Sequence, residues 1–177
     1  MTDPLEDDRS EAGPEAELRR AMVAQQIRGR GLRDPQVCRA MQRLPRHRFV
    51  PPEQRAAAYD DRALPIAAGQ TVSQPYMVAY MTEALRVAPG MTVLEVGTGS
   101  GYQTALLAML GAEVHTIERL KGLSRAARAL LGDLGLGSIT YHVGDGSLGL
   151  PGNAPFERIL VTAGAPTIPT ALLDQIA

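Results

Sequence analysis

From Leu18 to about Ala88 the apolar positions recur at helical spacing, interrupted by irregular joints. Asp34 followed by Pro35 reads as a helix cap and first-turn proline, and Val37, Ala40, Met41 and Leu44 then fall on one face. Cys38 lies inside that helix as a small packing residue. Residues 45–75 form a loop rich in Pro and Gly; Pro75 then opens a helix whose Val78, Met81 and Leu85 keep the period until Pro89 and Gly90 stop it. From Met91 the grammar changes. Short β-branched runs at 93–96, 114–117, 139–143 and 159–162 alternate with helical stretches at 101–110 and 120–134, and a last apolar-periodic piece covers 168–176. Strands joined by crossover helices predict a parallel sheet covered on both faces, with ligands at the carboxyl ends of its strands.

Charge divides the chain differently. Residues 1–17 hold Asp3, Glu6, Asp7, Asp8, Glu11, Glu15 and Glu17 against Arg9, together with Pro4, Gly13 and Pro14, and are expected to be a disordered acidic tail. Residues 19–62 hold eleven arginines against Asp34, Glu53, Asp60 and Asp61. Only Phe49 and Tyr59 interleave with them as aromatics, so a solvated arginine face is expected rather than a nucleic-acid platform. The 177 residues (18.9 kDa) suit one compact domain. The longest apolar stretch, 105–112, is too short to span a bilayer, no secretory leader is expected from the first residues, and a single cysteine excludes an internal disulfide. A cytoplasmic protein with no membrane partner is expected. His47, His115 and His142 are not at metal-ligand spacing, so no metal is expected and all three read as structural.

The chemistry is concentrated in Glu95-Val96-Gly97-Thr98-Gly99-Ser100-Gly101, where the first strand of the second half hands over to its helix. Nineteen residues after Gly99, Glu118 stands at the end of the next strand, where a carboxylate can accept both hydroxyls of a ribose. This combination points to an adenosine-containing cofactor. A dinucleotide fingerprint would need glycine where Tyr102 stands, and Glu95 would repel a pyrophosphate. S-adenosylmethionine has no phosphate and carries an ammonium and a sulfonium, so the acid becomes favourable. Asp145, between Gly144 and Gly146 after the third strand, supplies a third carboxylate able to accept from an adenine amino group while its glycine neighbours let the ring approach.

With these motifs the chain resembles the protein-L-isoaspartate O-methyltransferase family over about residues 18–177. The resemblance rests on Tyr59-Asp60, Leu64-Pro65-Ile66, Gly69-Gln70-Thr71-Val72-Ser73-Gln74-Pro75, the stretch from Val93 to Tyr102, Ile117-Glu118-Arg119, Gly144-Asp145-Gly146 and Val161-Thr162-Ala163. The segment from Gly69 to Pro75 is its family-specific part; Ala67 stands where the family usually has glycine. The resemblance implies an α/β fold: a Rossmann-like class I methyltransferase sheet at 89–177 with a helical N-terminal subdomain at 18–88. It implies methyl transfer from S-adenosylmethionine to the α-carboxyl of L-isoaspartyl residues in damaged proteins, leaving S-adenosylhomocysteine. Ser73 then holds the accepting carboxylate. Thr71, Val72, Glu95, Gly97, Thr98, Gly99, Ser100, Gly101, Glu118, Asp145 and Gly146 form the cofactor site.

Family members continue beyond the position of Ala177 into a glycine turn and three further strands. The expectation is therefore a truncated core whose C-terminal strands are missing, with the fourth strand as an exposed edge, and a monomer when complete. Two alternatives remain open at this point: a methyltransferase of another acceptor, and an inactive fragment or basic binding module.

Overall fold

A computed structural model describes residues 13–164 and 167–177. Most of the expected acidic tail lies outside the described residues, but the expectation fails at its end. Helix α1 (Pro14–Met22) already begins at Pro14, with Ala16 buried. Proline at the first helical position and Glu15 and Glu17 in the first turn favour a helix start there, because neither the missing N–H nor the negative charge is costly at that end.

The backbone divides into two compact units, one up to Arg86 and one from Val87. In the first, α1 runs on through a π turn (Val23–Ile27) and a 3₁₀ turn (Arg28–Arg30), closed by Gly31. Helix α2 (Pro35–Arg43) is capped as expected, the Asp34 carboxylate accepting from the amides of Gln36 (2.8 Å) and Val37 (3.0 Å). The expected loop at 45–75 has more structure than its composition suggests. It contains 3₁₀ turns at Arg46–Phe49 and Pro52–Ala57 and a small antiparallel pair, β1 (Leu64–Pro65) with β2 (Thr71–Val72). The left-handed turn between these strands falls at Ala68 (φ 57°) and Gly69 (φ 66°), so the alanine at 67 meets no positive φ. Helix α3 (Pro75–Leu85) follows.

The arginine-rich segment is not wholly a solvated face. Arg19 and Arg46 are buried, and each donates its Nε to a backbone carbonyl, Arg19 to Gln42 and Arg46 to Ala58. Composition records the charge of such residues but not the carbonyls that a folded chain brings to meet them.

The second unit carries β3 (Thr92–Val96), α4 (Tyr102–Met109), β4 (Glu113–Glu118), α5 (Lys121–Asp133), β5 (Ile139–Val143), β6 (Arg158–Val161) and α6 (Thr170–Leu173). The four strands are parallel in the order β5-β4-β3-β6. One face of the sheet buries Leu94, Val96 and Ile117 against Phe156 and Leu172. The other carries Glu95 and Thr116 towards α4, whose Leu106 and Leu107 are fully buried.

Strand β6 lies at the edge of the sheet. The residues before it already have a neighbour on that side: Phe156 donates to Gln175 (2.8 Å) and Ala177 donates to Phe156 (2.9 Å), forming a parallel bridge. The apolar-periodic piece expected at 168–176 is α-helical over Thr170–Leu173. Among the described residues no helix is long and apolar enough to cross a membrane.

Two glycine substitutions separate packing from propensity. A Cβ at Gly146 would lie 2.4 Å from Val96 Cγ1, whereas at Gly132, exposed near the end of α5, it meets nothing within 4 Å. Gly146→Ala is expected to lose roughly 1–3 kcal/mol through overpacking. Gly132→Ala is expected to gain about 0.5–1 kcal/mol. Thermal and urea unfolding of the two variants would show shifts of opposite sign.

Candidate cofactor site at the strand ends

Parallel pairing places Glu95 opposite Thr116 and Val96 opposite Ile117. That register builds the floor of the site. Glu95 is completely buried, and its Oε2 accepts from Thr116 Oγ1 (2.7 Å) and from Thr104 Oγ1 of α4 (2.5 Å). Thr116 Oγ1 also lies 2.6 Å from Thr98 Oγ1, so the network reaches up into the glycine turn. Glu95 Oε1 is buried with no hydrogen-bond partner among the described residues. Burial raises the Glu95 pKa to about 7; the hydroxyls of Thr104 and then Thr116 oppose this, and the charge of Glu118 adds to it. Desolvation outweighs two short hydrogen bonds because neither serves Oε1.

Above this floor the turn is held by side chains from two strand ends. Gly97 has φ 104°, and a Cβ there would lie 2.8 Å from Thr162 Oγ1 and 3.0 Å from the Ala163 amide. Thr162 follows β6 and donates to the carbonyls of Val96 (3.0 Å) and Gly97 (2.7 Å). Glu118 is buried at the end of β4, its Oε2 accepting from the Gly99 amide and its Oε1 from the Leu120 amide, each at 3.0 Å. Carboxylate oxygens have more than one acceptor site, so these bonds leave capacity for further donors such as ribose hydroxyls. A Cβ on Gly99 would meet nothing within 4 Å, and Gly101 is the N-cap of α4. Ser100 Oγ accepts from the Tyr102 amide at 3.3 Å. Asp145 is exposed; its carboxylate accepts from the Ser147 amide (3.0 Å) and hydroxyl (2.8 Å), and these bonds hold its pKa below the usual carboxylate value.

Thus Glu95, Gly97, Thr98, Gly99, Ser100, Gly101, Glu118, Asp145 and Gly146 come together where β3, β4 and β5 end, although Glu95 lies beneath the turn rather than on its open face. An uncompensated buried carboxyl oxygen, two further carboxylates and open space at Gly99 fit a cationic nucleoside better than a phosphate. Sequence reasoning misses Thr104 and Thr116, and it meets Thr162 only as part of a motif with no role of its own. The available signal is a threonine within a strand or helix that is largely buried, which fits many roles.

Thr71, Val72 and Ser73 belong to the first unit. Val72 is buried, Thr71 exposed and Ser73 half-buried. Ser73 caps nothing: Gln74 occupies the N-cap position of α3, and no hydrogen bond from the Ser73 hydroxyl is found among the described residues. Its carbonyl accepts from Arg46 Nη2 at 2.8 Å. The histidines are not isolated. His47 Nδ1 lies 2.8 Å from the Tyr59 hydroxyl, and His115 and His142 stack across β4 and β5 with ring nitrogens 3.2 Å apart. No group of three or more candidate metal ligands occurs among the described residues.

Glu95 makes stability depend on pH. The folded chain keeps its proton up to about pH 7, whereas the unfolded chain releases it near 4.5, so stability from this group is full below about 4.5 and is lost as pH rises towards 7. Glu95→Gln removes that loss. Its effect on urea unfolding is expected to be more favourable at pH 8 than at pH 4.5 by an amount on the order of 3 kcal/mol. Equal effects at both pH values would contradict the raised pKa.

Residues 17–177 match the family model described as Protein-L-isoaspartate(D-aspartate) O-methyltransferase (PCMT). A Protein-L-isoaspartate O-methyltransferase of Synechococcus sp. is 52% identical over 164 residues, covering 93% of this chain and 67% of that protein. A solved protein-L-isoaspartate O-methyltransferase superposes with TM-score 0.78 at 26% identity, over 89% of this chain and 52% of that one, so the chain spans about half its length. The fold is also shared with a Plasmodium falciparum structure described as a complex with S-adenosyl-L-homocysteine (TM-score 0.76, 23% identity, 90% of this chain and 79% of that chain). By sequence and by fold, the chain belongs to the protein-L-isoaspartate O-methyltransferase family.

Proposed function

We propose that the chain methylates the α-carboxyl of L-isoaspartyl residues in damaged proteins, using S-adenosylmethionine. The observation that carries this reading is the family match from residue 17 to residue 177, which includes both the acidic strand ends and the family-specific segment with its unengaged Ser73 hydroxyl. S-adenosylmethionine supplies an electrophilic methyl group on a sulfonium. Glu118 would receive the ribose hydroxyls, Asp145 the adenine amino group, and the backbone from Gly97 to Gly101 would hold the rest of the nucleoside, with Thr98 and Ser100 shaping the turn. Glu95 beneath them holds Thr104 and Thr116, and through Thr116 the turn, in place. Thr71 and Val72 line the acceptor loop beside Ser73.

An α-carboxyl ordinarily titrates at about pH 3.5, so the acceptor is already anionic at neutral pH and the protein need not remove a proton from it. Orientation then dominates, and can contribute roughly 7–11 kcal/mol. Ser73 donates its hydroxyl hydrogen to one carboxylate oxygen and so directs the other towards the methyl group. The same reading puts the protein in the cytoplasm acting on protein substrates, as a monomer when complete, in keeping with Cys38 as a buried free thiol.

Mass spectrometry of methyl transfer to an isoaspartyl peptide and to its aspartyl isomer tests this. The 177-residue chain is expected to modify only the isoaspartyl peptide. Ser73→Ala is expected to lose turnover by about 100-fold or more while S-adenosylhomocysteine binding stays within about twofold. Equal modification of both peptides would move the acceptor to another class, and loss of cofactor binding in Ser73→Ala would remove Ser73 from its role.

A further inference from the structure

Arg46 is fully buried in the first unit, at the start of a 3₁₀ turn in the segment Leu44-Pro45-Arg46-His47-Arg48-Phe49. Its Nε donates to the Ala58 carbonyl and its Nη2 to the Ser73 carbonyl, each at 2.8 Å. These donors share one edge of a planar guanidinium, so the two carbonyls are held side by side in a fixed geometry. Burying a cation is costly unless its donors meet acceptors, and charged donors make the stronger hydrogen bonds. A leucine or methionine would fill the same space without that cost. What an arginine adds is a set position for two stretches of irregular backbone, 12 and 27 residues away in sequence.

One of those stretches carries Ser73. Fixing its carbonyl orients the peptide plane between Ser73 and Gln74, and with it the backbone from which the Ser73 hydroxyl projects. The Ala58 end is itself anchored: Tyr59 accepts at its carbonyl from Gln26 Nε2 (2.7 Å), and its hydroxyl lies 2.8 Å from His47 Nδ1. The fork therefore ties the Ser73 backbone to an already fixed point.

We infer that Arg46 is a positioning residue for methyl transfer, acting through the backbone of Ser73. This rests on the role proposed for Ser73. Arg46→Lys keeps the charge but loses the fork, and is expected to lower kcat by roughly 10- to 100-fold, with KM and S-adenosylhomocysteine affinity changed by less than about threefold. In a Ser73→Ala background the same change is expected to lower kcat by less than about twofold further, because the hydroxyl it positions is gone. Arg46→Gln, neutral but with donors, serves in the same cycle if the lysine variant does not fold, as judged by thermal unfolding. Independent losses that multiply in the double variant, or an unchanged kcat in Arg46→Lys, would overturn the inference and leave the function standing. No transfer by the unsubstituted chain would overturn both.

Discussion

A carboxyl group buried beneath a glycine turn constrains much of the second unit. Glu95 needs hydroxyl donors that water cannot supply there, and it finds them on the neighbouring strand and on the helix above. Thr116 is in reach only when β3 and β4 pair with Glu95 opposite Thr116; a slip by one residue would bring His115 or Ile117 across instead. Thr104 is in reach only when α4 lies against that face of the sheet. One polar requirement thus selects a register and a helix placement that apolar packing alone would accept in several versions.

The same group links the floor of the site to its rim. Through Thr116 the network reaches Thr98, and Glu118 grips the next turn residue from the adjacent strand end. The glycine turn is therefore organised by protein groups, its shape set by hydroxyls and a carboxylate from the strands around it.

Periodicity makes the sheet legible. The β-branched runs and the helices between them appear within one or two residues of their expected ends, because strand and helix periods differ and glycines mark the junctions. The strand-end acids are legible for the same reason: a motif's place on a strand–turn–helix unit says where its side chains gather. What stays hidden depends on partners distant in sequence. Thr116 and Thr104 carry no local sign that they serve a buried acid, and the stacking of His115 on His142 requires the register of β4 against β5. Charge alone reads Arg19 and Arg46 as surface residues, whereas Arg19 meets a carbonyl in the last turn of α2 and Arg46 meets carbonyls of irregular backbone. The start of α1 at Pro14 is obscured by an acidic composition that locally favours a helix N-terminus.

Between α2 and α3 the backbone is largely irregular, yet residues 58–59 form a junction where Arg46, His47 and Gln26 all meet. Irregular shape is distinct from looseness. A ladder of backbone hydrogen bonds loses one rung at a time, but a segment pinned by three side chains at one knot should release as a block when the knot is cut, so its motions are expected to be rare and concerted rather than frequent and small.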